Sequence, residues 1–395
     1  MRADLQLKLN HHRQLLILLT IHPEVYFEVP DDKAQMRTRR RTKASQSTYN
    51  GLINEGTTCY LNSLLQTLFV IRAFRRAVYA MPTNVDDFKS IPFCLQRIFY
   101  NLQTGKRPVR TIELLNAFGW GQQQMNEQHD VNEFFLVLSD TLEKQMRGTA
   151  VSGTYCNLFE GELENVVRCE NIDYESSRKE TFNCLQLSIS EECQTIEGSL
   201  RQYVQAEELT GENQYDAEEH GRQDAKRFIR IKKLPPVLQV QVNRFAYNPE
   251  VDQMVKINSM FKFADVLDLD AILTSDPNQS QPGASSKKLQ KPRNLYHLHS
   301  ILIHKGTLGA GHYFAFIKPT LEDQWFEFND SLVSPLVKST ALSIGGGGFD
   351  STFEHRDGQI FEKAKTNFTS AYMLVYIRDQ DREEILREVH PADIP

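Results

Sequence analysis

Apolar residues recur at helical spacing from residue 49 to about 155 and at strand alternation beyond, and this change of period constrains the fold most. In the first part Leu61, Leu64, Leu65, Leu68 and Phe69 fall on one helical face, and residues 111–118 and 131–143 keep the same spacing. In the second, residues 237–242 and 373–377 alternate and predict strands of a twisted antiparallel sheet. Such a split predicts an α+β molecule, a helical lobe packed on a sheet lobe with a cleft between them.

Cys59 stands at the head of the first helical pattern, in its opening turn. The unpaired N–H groups and positive dipole end there favour a thiolate, which is the attacking form of cysteine. Gly56, Thr57 and Thr58 predict a tight entry turn with a threonine cap, and the Asn54 amide lies within reach of an oxyanion formed near the sulfur. Far along the chain, residues 295–304 and 312–319 read as two strands joined by the glycine-rich 305–311, a hairpin with a wide loop. His312 stands where that loop re-enters the sheet. Residues 324–330 predict a neighbouring strand ending in Asn329 and Asp330, either of which can hold the imidazole tautomer. Taken singly, Cys59 reads as one more buried thiol and His312 as a structural sheet histidine. The order Cys, His, Asn/Asp in a helix-then-sheet context reads as a cysteine protease.

The segment 51–69, the run 128–134 (QHDVNEF), the run 234–245 (LPPVLQVQVNRF), Gly311-His312-Tyr313 and the run 325–330 (WFEFND) together resemble the ubiquitin-specific protease family over residues 49 to 380. The resemblance implies a papain-like cysteine protease fold: a helical thumb, an antiparallel-sheet palm and extended β fingers, with a catalytic domain over 49–381. It implies that Cys59 is the nucleophile, His312 the general base, Asn329 the orienting group and Asn54 the oxyanion donor. Because Asn329 carries no charge, Asp330 is expected to share its work. Gln128, Asp130 and Glu133 match the acidic site that grips the basic carboxy-terminal tail of ubiquitin, although Asp130 alone also reads as a helix cap. His304 and Tyr313 are expected to border the tail cleft, and Trp120 to lie in a segment that rearranges to align the triad. The implied activity is deubiquitination, with ubiquitin and ubiquitinated proteins as partners. A silent ubiquitin-binding scaffold and a hydrolase for another ubiquitin-like modifier are the alternatives.

Composition agrees with that class. The 395 residues are 40% hydrophobic and 24% charged, enough for a large core. A net charge of −6 and a pI near 6.0 argue against general nucleic-acid binding and suit a basic partner. The six cysteines read as reduced thiols rather than a disulfide framework. Many family members hold zinc with two Cys-x-x-Cys pairs in the fingers, but here Cys169 is followed three residues later by Ile172, Ala217 and His220 stand at the second pair, and Cys184 and Cys193 are wrongly spaced. No metal or other cofactor is expected. The apolar run 15–21 is too short to cross a membrane. A monomer in cytoplasm or nucleus, with no membrane contact, is the expectation. Residues 1–48 are expected to form a flexible extension with a basic cluster at 37–43, and 382–395 to begin a charged connecting helix. Residues 274–286 and Gly345–Gly348 are expected to be surface loops.

Overall fold

The computed structural model describes residues 49–84, 89–120, 129–190, 193–273, 294–308, 310–356 and 359–394. The expectations for 1–48, for 274–286 and for Gln128 lie outside them. The helical lobe comprises α1 (Cys59–Val70), α2 (Arg72–Tyr79), α3 (Ile91–Thr104), α4 (Ile112–Ala117), α5 (Val131–Met146) and α6 (Thr154–Phe159). Next come β1 (Gly161–Cys169), β2 (Glu175–Phe182), β3 (Leu185–Ser188), α7 (Ile196–Val204), β4 (Glu207–Leu209), β5 (Tyr215–Asp216), β6 (Arg222–Gln223) and β7 (Ala225–Lys233).

They are followed by β8 (Val237–Asn243) and a hairpin of β9 (Phe245–Asn248) and β10 (Gln253–Lys256). After β11 (Val266–Asp268) and α8 (Leu269–Leu273) come β12 (Leu295–Thr307), β13 (Ala310–Ile317), β14 (Trp325–Asn329), β15 (Leu332–Leu336) and α9 (Lys338–Gly345). The hairpin of β16 (Phe349–Arg356) and β17 (Gln359–Thr366), the strand β18 (Thr369–Arg378) and α10 (Arg382–Ile385) end the chain.

The palm sheet runs β15-β14-β13-β12-β18-β8-β3, with β11 also on β12, and is antiparallel except where β3 lies parallel to β8. A separate sheet, β2-β1-β7-β4, forms the fingers. Strand alternation builds the core on both faces of the palm. From β13, Tyr313, Ala315 and Ile317 face α1 and the helical lobe, while Phe314 and Phe316 join the cluster under α7, α8 and α9. In β18, Val375 and Ile377 face one way and Leu374 and Tyr376 the other. Each such burial is worth about 1.5–3 kcal/mol relative to an exposed side chain.

The sequence suggested one buried face for α1, yet every residue from Cys59 to Val70 is buried. Its polar side chains are therefore hydrogen-bonded inside the protein: Ser63 Oγ donates to Cys59 O (2.8 Å), Thr67 Oγ1 to Ser63 O (3.0 Å) and Gln66 Nε2 to Asn50 O (2.9 Å).

Three expectations are corrected. The loop at 305–311 is not wide: β12 and β13 stay paired through Gly306↔Gly311 to Thr307↔Ala310. Gly345 to Gly348 are buried rather than at the surface. A Cβ on Gly345 would stand 2.7 Å from the Phe263 ring, so close packing rather than loop flexibility requires glycine there. The charged run after residue 378 makes a short 3-10 turn and the four-residue α10, not one long helix. Ile385, Leu386 and Val389 are buried in the core that holds α1, and Arg72 and Arg76 of α2 donate to the carbonyls of Leu386 (2.6 Å) and Arg387 (2.8 Å).

Candidate active site

Cys59 is the first residue of α1 and is 3% exposed. Thr58 occupies the N-cap position but does not cap through its side chain. Its hydroxyl turns back, accepting from Glu55 N (2.9 Å) and donating to Asn54 Oδ1 (3.3 Å). Asn54 Oδ1 also accepts from Gly56 N (3.2 Å) and Thr58 N (3.1 Å), so this one amide oxygen shapes the entry turn, in which Gly56 has φ 132°. Thr58 thus serves the turn instead of the helix end.

The strand β13 meets α1 at the sulfur. Tyr313 N donates to Cys59 Sγ at 3.4 Å, and the His312 ring is hydrogen-bonded to the same thiol. The other ring nitrogen, Nε2, lies 2.8 Å from Asn329 Oδ1, so Nδ1 is left to face the sulfur. The bond to Cys59 pushes the His312 pKa up to about 9 against the opposing pull of burial, with help from Asn329 and Asp330.

Asp330 lies 4.0 Å from His312 Nε2 and adopts φ +48°, in the left-handed region. Its Oδ2 accepts from Asn54 Nδ2 (3.0 Å) and its Oδ1 from Asn62 Nδ2 (2.8 Å). Its carbonyl accepts from Leu52 N (2.9 Å). A Cβ on Gly51 would stand 2.4 Å from that carbonyl oxygen, which accounts for glycine at the start of the segment. Asn329 in turn donates from Nδ2 to Glu327 Oε1 (3.1 Å).

His304 and Tyr313 pair across β12 and β13 with ring centroids 4.7 Å apart, and both are 3% exposed. They form the buried wall of the site rather than its surface. Burial first, then the charges of Lys256 and His312, push the His304 pKa down to about 3, so its ring is neutral. A Cβ on Gly311 would stand 2.0 Å from His304 Nε2. Gly311→Ala is expected to cost about 1–3 kcal/mol through overpacking. By shifting its neighbour His312, it should also lower the alkylation rate of Cys59 in protein that is still folded. Wild-type alkylation in a folded Gly311→Ala protein would refute this.

Asp130 caps α5: its Oδ1 accepts from Asn132 N (2.7 Å) and Glu133 N (3.2 Å), and its Oδ2 accepts from the Tyr372 hydroxyl. Gln241 Nε2 donates to the same hydroxyl at 2.7 Å. Glu133, one turn into the helix, is exposed. Trp120 stacks on His129 (4.9 Å, 27°) and packs against Phe134. Asn62, Tyr372 and Glu327 escaped the sequence reading. Asn62 is one of several polar residues in α1, and Glu327 a charge in an alternating strand beside Asn329; neither pattern singles them out.

The sequence model of the ubiquitin carboxyl-terminal hydrolase family matches residues 50–376. The chain belongs to that family. Its helices, antiparallel palm and fingers are those of the family's papain-like catalytic fold. Relatives of the chain include ubiquitin C-terminal hydrolase 13 of Arabidopsis thaliana, 45% identical over 87% of this chain and 30% of its own length. Ubiquitin carboxyl-terminal hydrolase 15 of Saccharomyces cerevisiae is 38% identical over 88% of this chain and 28% of its own. Ubiquitin carboxyl-terminal hydrolase 7 of Drosophila melanogaster is 40% identical over 88% and 29%. The chain spans about 30% of the length of these curated relatives.

At the finger tip, where many family members hold zinc, the residues do not fit the ion. Cys169 packs with Ala217 and Ala225 and against Ile172 and Tyr174, and His220 meets the Tyr174 ring edge-on at 5.8 Å. Among the described residues no group of three or more His, Cys, Asp or Glu is placed to hold a metal. Apolar and aromatic packing closes the tip. Among the described residues no helix is long and apolar enough to cross a membrane.

Proposed function

We propose that this domain is a cysteine-type deubiquitinase that hydrolyses the isopeptide or peptide bond after the carboxy-terminal glycine of ubiquitin. The observation that carries the reading is the Cys59, His312, Asn329 alignment, in which the imidazole bridges sulfur and amide oxygen. The Cys59 sulfur attacks the glycine carbonyl carbon, forming the S–C bond. His312 Nδ1 takes the thiol proton, holds it through neutrality because its pKa is raised, and delivers it to the leaving lysine amine as the C–N bond breaks. Water, deprotonated by the same nitrogen, cleaves the thioester and regenerates the thiol.

The oxyanion is held by backbone N–H at the head of α1 and by Asn54, whose Nδ2 has a second N–H beyond the one on Asp330. Asp330 supplies the negative charge that Asn329 lacks. Asp130, Glu133 and Gln128 bind the basic tail, His304 and Tyr313 shape the wall of its channel, and Trp120 belongs to the segment that responds to ubiquitin. Within the family, Ala77-Val78-Tyr79, Phe118-Gly119-Trp120, residues 211–215 and residues 371–378 further resemble the herpesvirus-associated ubiquitin-specific protease. We place the protein as a monomer acting in cytoplasm or nucleus.

The test is reaction of the purified chain with ubiquitin bearing a carboxy-terminal electrophile, followed by peptide mapping. Labelling at Cys59 that is lost in His312→Ala supports the reading. Ubiquitin binding without an adduct would favour a silent scaffold. Preferential reaction with a probe built on another modifier would reassign the substrate.

A further inference from the structure

We propose that Glu327 is a positioning residue that fixes the amide of Asn329 and thereby sets the tautomer of His312. The inference deepens the catalytic reading of the same site and rests on it. An asparagine side chain has two ends of nearly equal shape and opposite hydrogen-bonding character. With Oδ1 toward the ring, Asn329 accepts from His312 Nε2–H, and Nδ1 keeps the lone pair that must take the thiol proton. With the amide turned over, Nδ2–H would face Nε2. The ring would then carry its proton on Nδ1, pointing at the sulfur, and would be useless as a base. A carboxylate in that place has no such ambiguity, because both its oxygens accept. A chain with asparagine at 329 therefore needs something else to choose the orientation.

Glu327 makes that choice. Residues 327 and 329 of β14 lie on one face of the strand, and Asn329 Nδ2 donates to Glu327 Oε1 at 3.1 Å. An ionised carboxylate only accepts, so the nitrogen end of the amide must face it and the oxygen end must face His312. Across the sheet, Glu327 is paired with Phe316 of β13 and Ser334 of β15. Phe316 is buried and shares with Glu327 one face of the sheet. Glu327 also places a negative charge behind a neutral orienting group, polarising the amide oxygen toward the imidazolium. The titratable groups around His312 are Cys59 of α1, Glu327 and Asp330 at the end of β14, and His304 and Lys305 of β12.

The experiment is a double-mutant cycle read by the pH profile of Cys59 alkylation with chloroacetamide, with thermal melts run alongside. Glu327→Ala is expected to lower the rate at neutral pH roughly ten-fold, the scale of one lost charge-assisted hydrogen bond. Asn329→Asp alone sets two carboxylates where one hydrogen bond now stands, and is expected to lower the rate. In the Glu327→Ala background the same Asn329→Asp change is expected to restore it, because aspartate has no wrong orientation. That reversal of sign is what a merely structural Glu327 would not produce. If Glu327→Ala fails to fold, Glu327→Gln carries the cycle, with a smaller loss and the same reversal. An effect of Asn329→Asp that is equal in both backgrounds would overturn the assignment. The small electrophile needs no ubiquitin, so failure of the cycle leaves the deubiquitinase reading standing, and failure of the ubiquitin probe leaves the cycle informative.

Discussion

Cys59→Ala is expected to abolish release of a fluorophore from the carboxy terminus of ubiquitin, a loss on the order of 10⁵-fold or more, while ubiquitin still binds. The sulfur is the one atom that the His312 ring, the Tyr313 amide and the head of α1 all address. The pH profile of the unaltered protein should carry the second half of this result. With its pKa pushed up to about 9, His312 remains protonated through neutrality and can hand a proton to the leaving amine. Turnover is therefore expected to fall as pH rises through about 9. The same shift has a sign for stability: the folded value lies above the ordinary 6.5, so protonation favours the fold. That contribution is full below 6.5 and gone above about 9. Undiminished turnover by Cys59→Ala would move the nucleophile elsewhere; an alkaline limb that survives Asn329→Ala unchanged would show that the raised value does not depend on that partner.

Arg244→Ala is expected to destabilise the domain by about 3–5 kcal/mol, measured as the shift of the urea unfolding midpoint. Arg244 directly follows β8 and is fully buried. Its guanidinium donates to four backbone carbonyls: Ser259 (2.6 Å), Ile257 (3.1 Å), Ala371 (3.2 Å) and Gly346 (3.4 Å). Desolvation pushes its pKa down to about 10, which still leaves it charged at neutrality. The fork joins the chain around β10, β18 and the turn after α9, and its removal strands those acceptors away from water. Arg244→Lys should recover only part of the loss, since a single ammonium cannot span the same carbonyls. A loss below about 1 kcal/mol for the alanine variant would mean that water replaces the guanidinium at little cost.

Periodicity made the lobes readable. The palm strands read as short apolar runs because both faces of the sheet are covered, and α1 announces itself through its leucines. Cys59, His312 and Asn329 are legible for a related reason: each stands at or near the end of a strongly patterned element, so predicting the elements predicts the meeting point. What escaped were the interactions whose partners lie far away in sequence. Asn62 looks like one more polar position in α1, and Asn54 like an oxyanion donor alone, until the Asp330 carboxylate is set between them. Glycine content misled twice. At 305–311 it suggested a wide loop, but the ladder between β12 and β13 continues, and Gly311 is there to clear the His304 ring. At 345–348 it suggested a surface loop, but the Phe263 ring and the Arg244 guanidinium occupy the space beside that backbone. Composition reports how a backbone can bend, not what leans against it.

The Asp330 carboxylate is held by one amide from the turn before α1 and one from within α1, while its own backbone belongs to the palm next to His312. Seating of the helical lobe on the sheet and the charge felt by the imidazole are therefore a single variable. Prying the lobes apart by even a hydrogen-bond length frees that carboxylate to rotate toward water, and the site loses its counter-charge while nearly all of the core is still intact. A domain wired in this way can be silenced by a slight loosening of one seam and restored by whatever presses the seam shut.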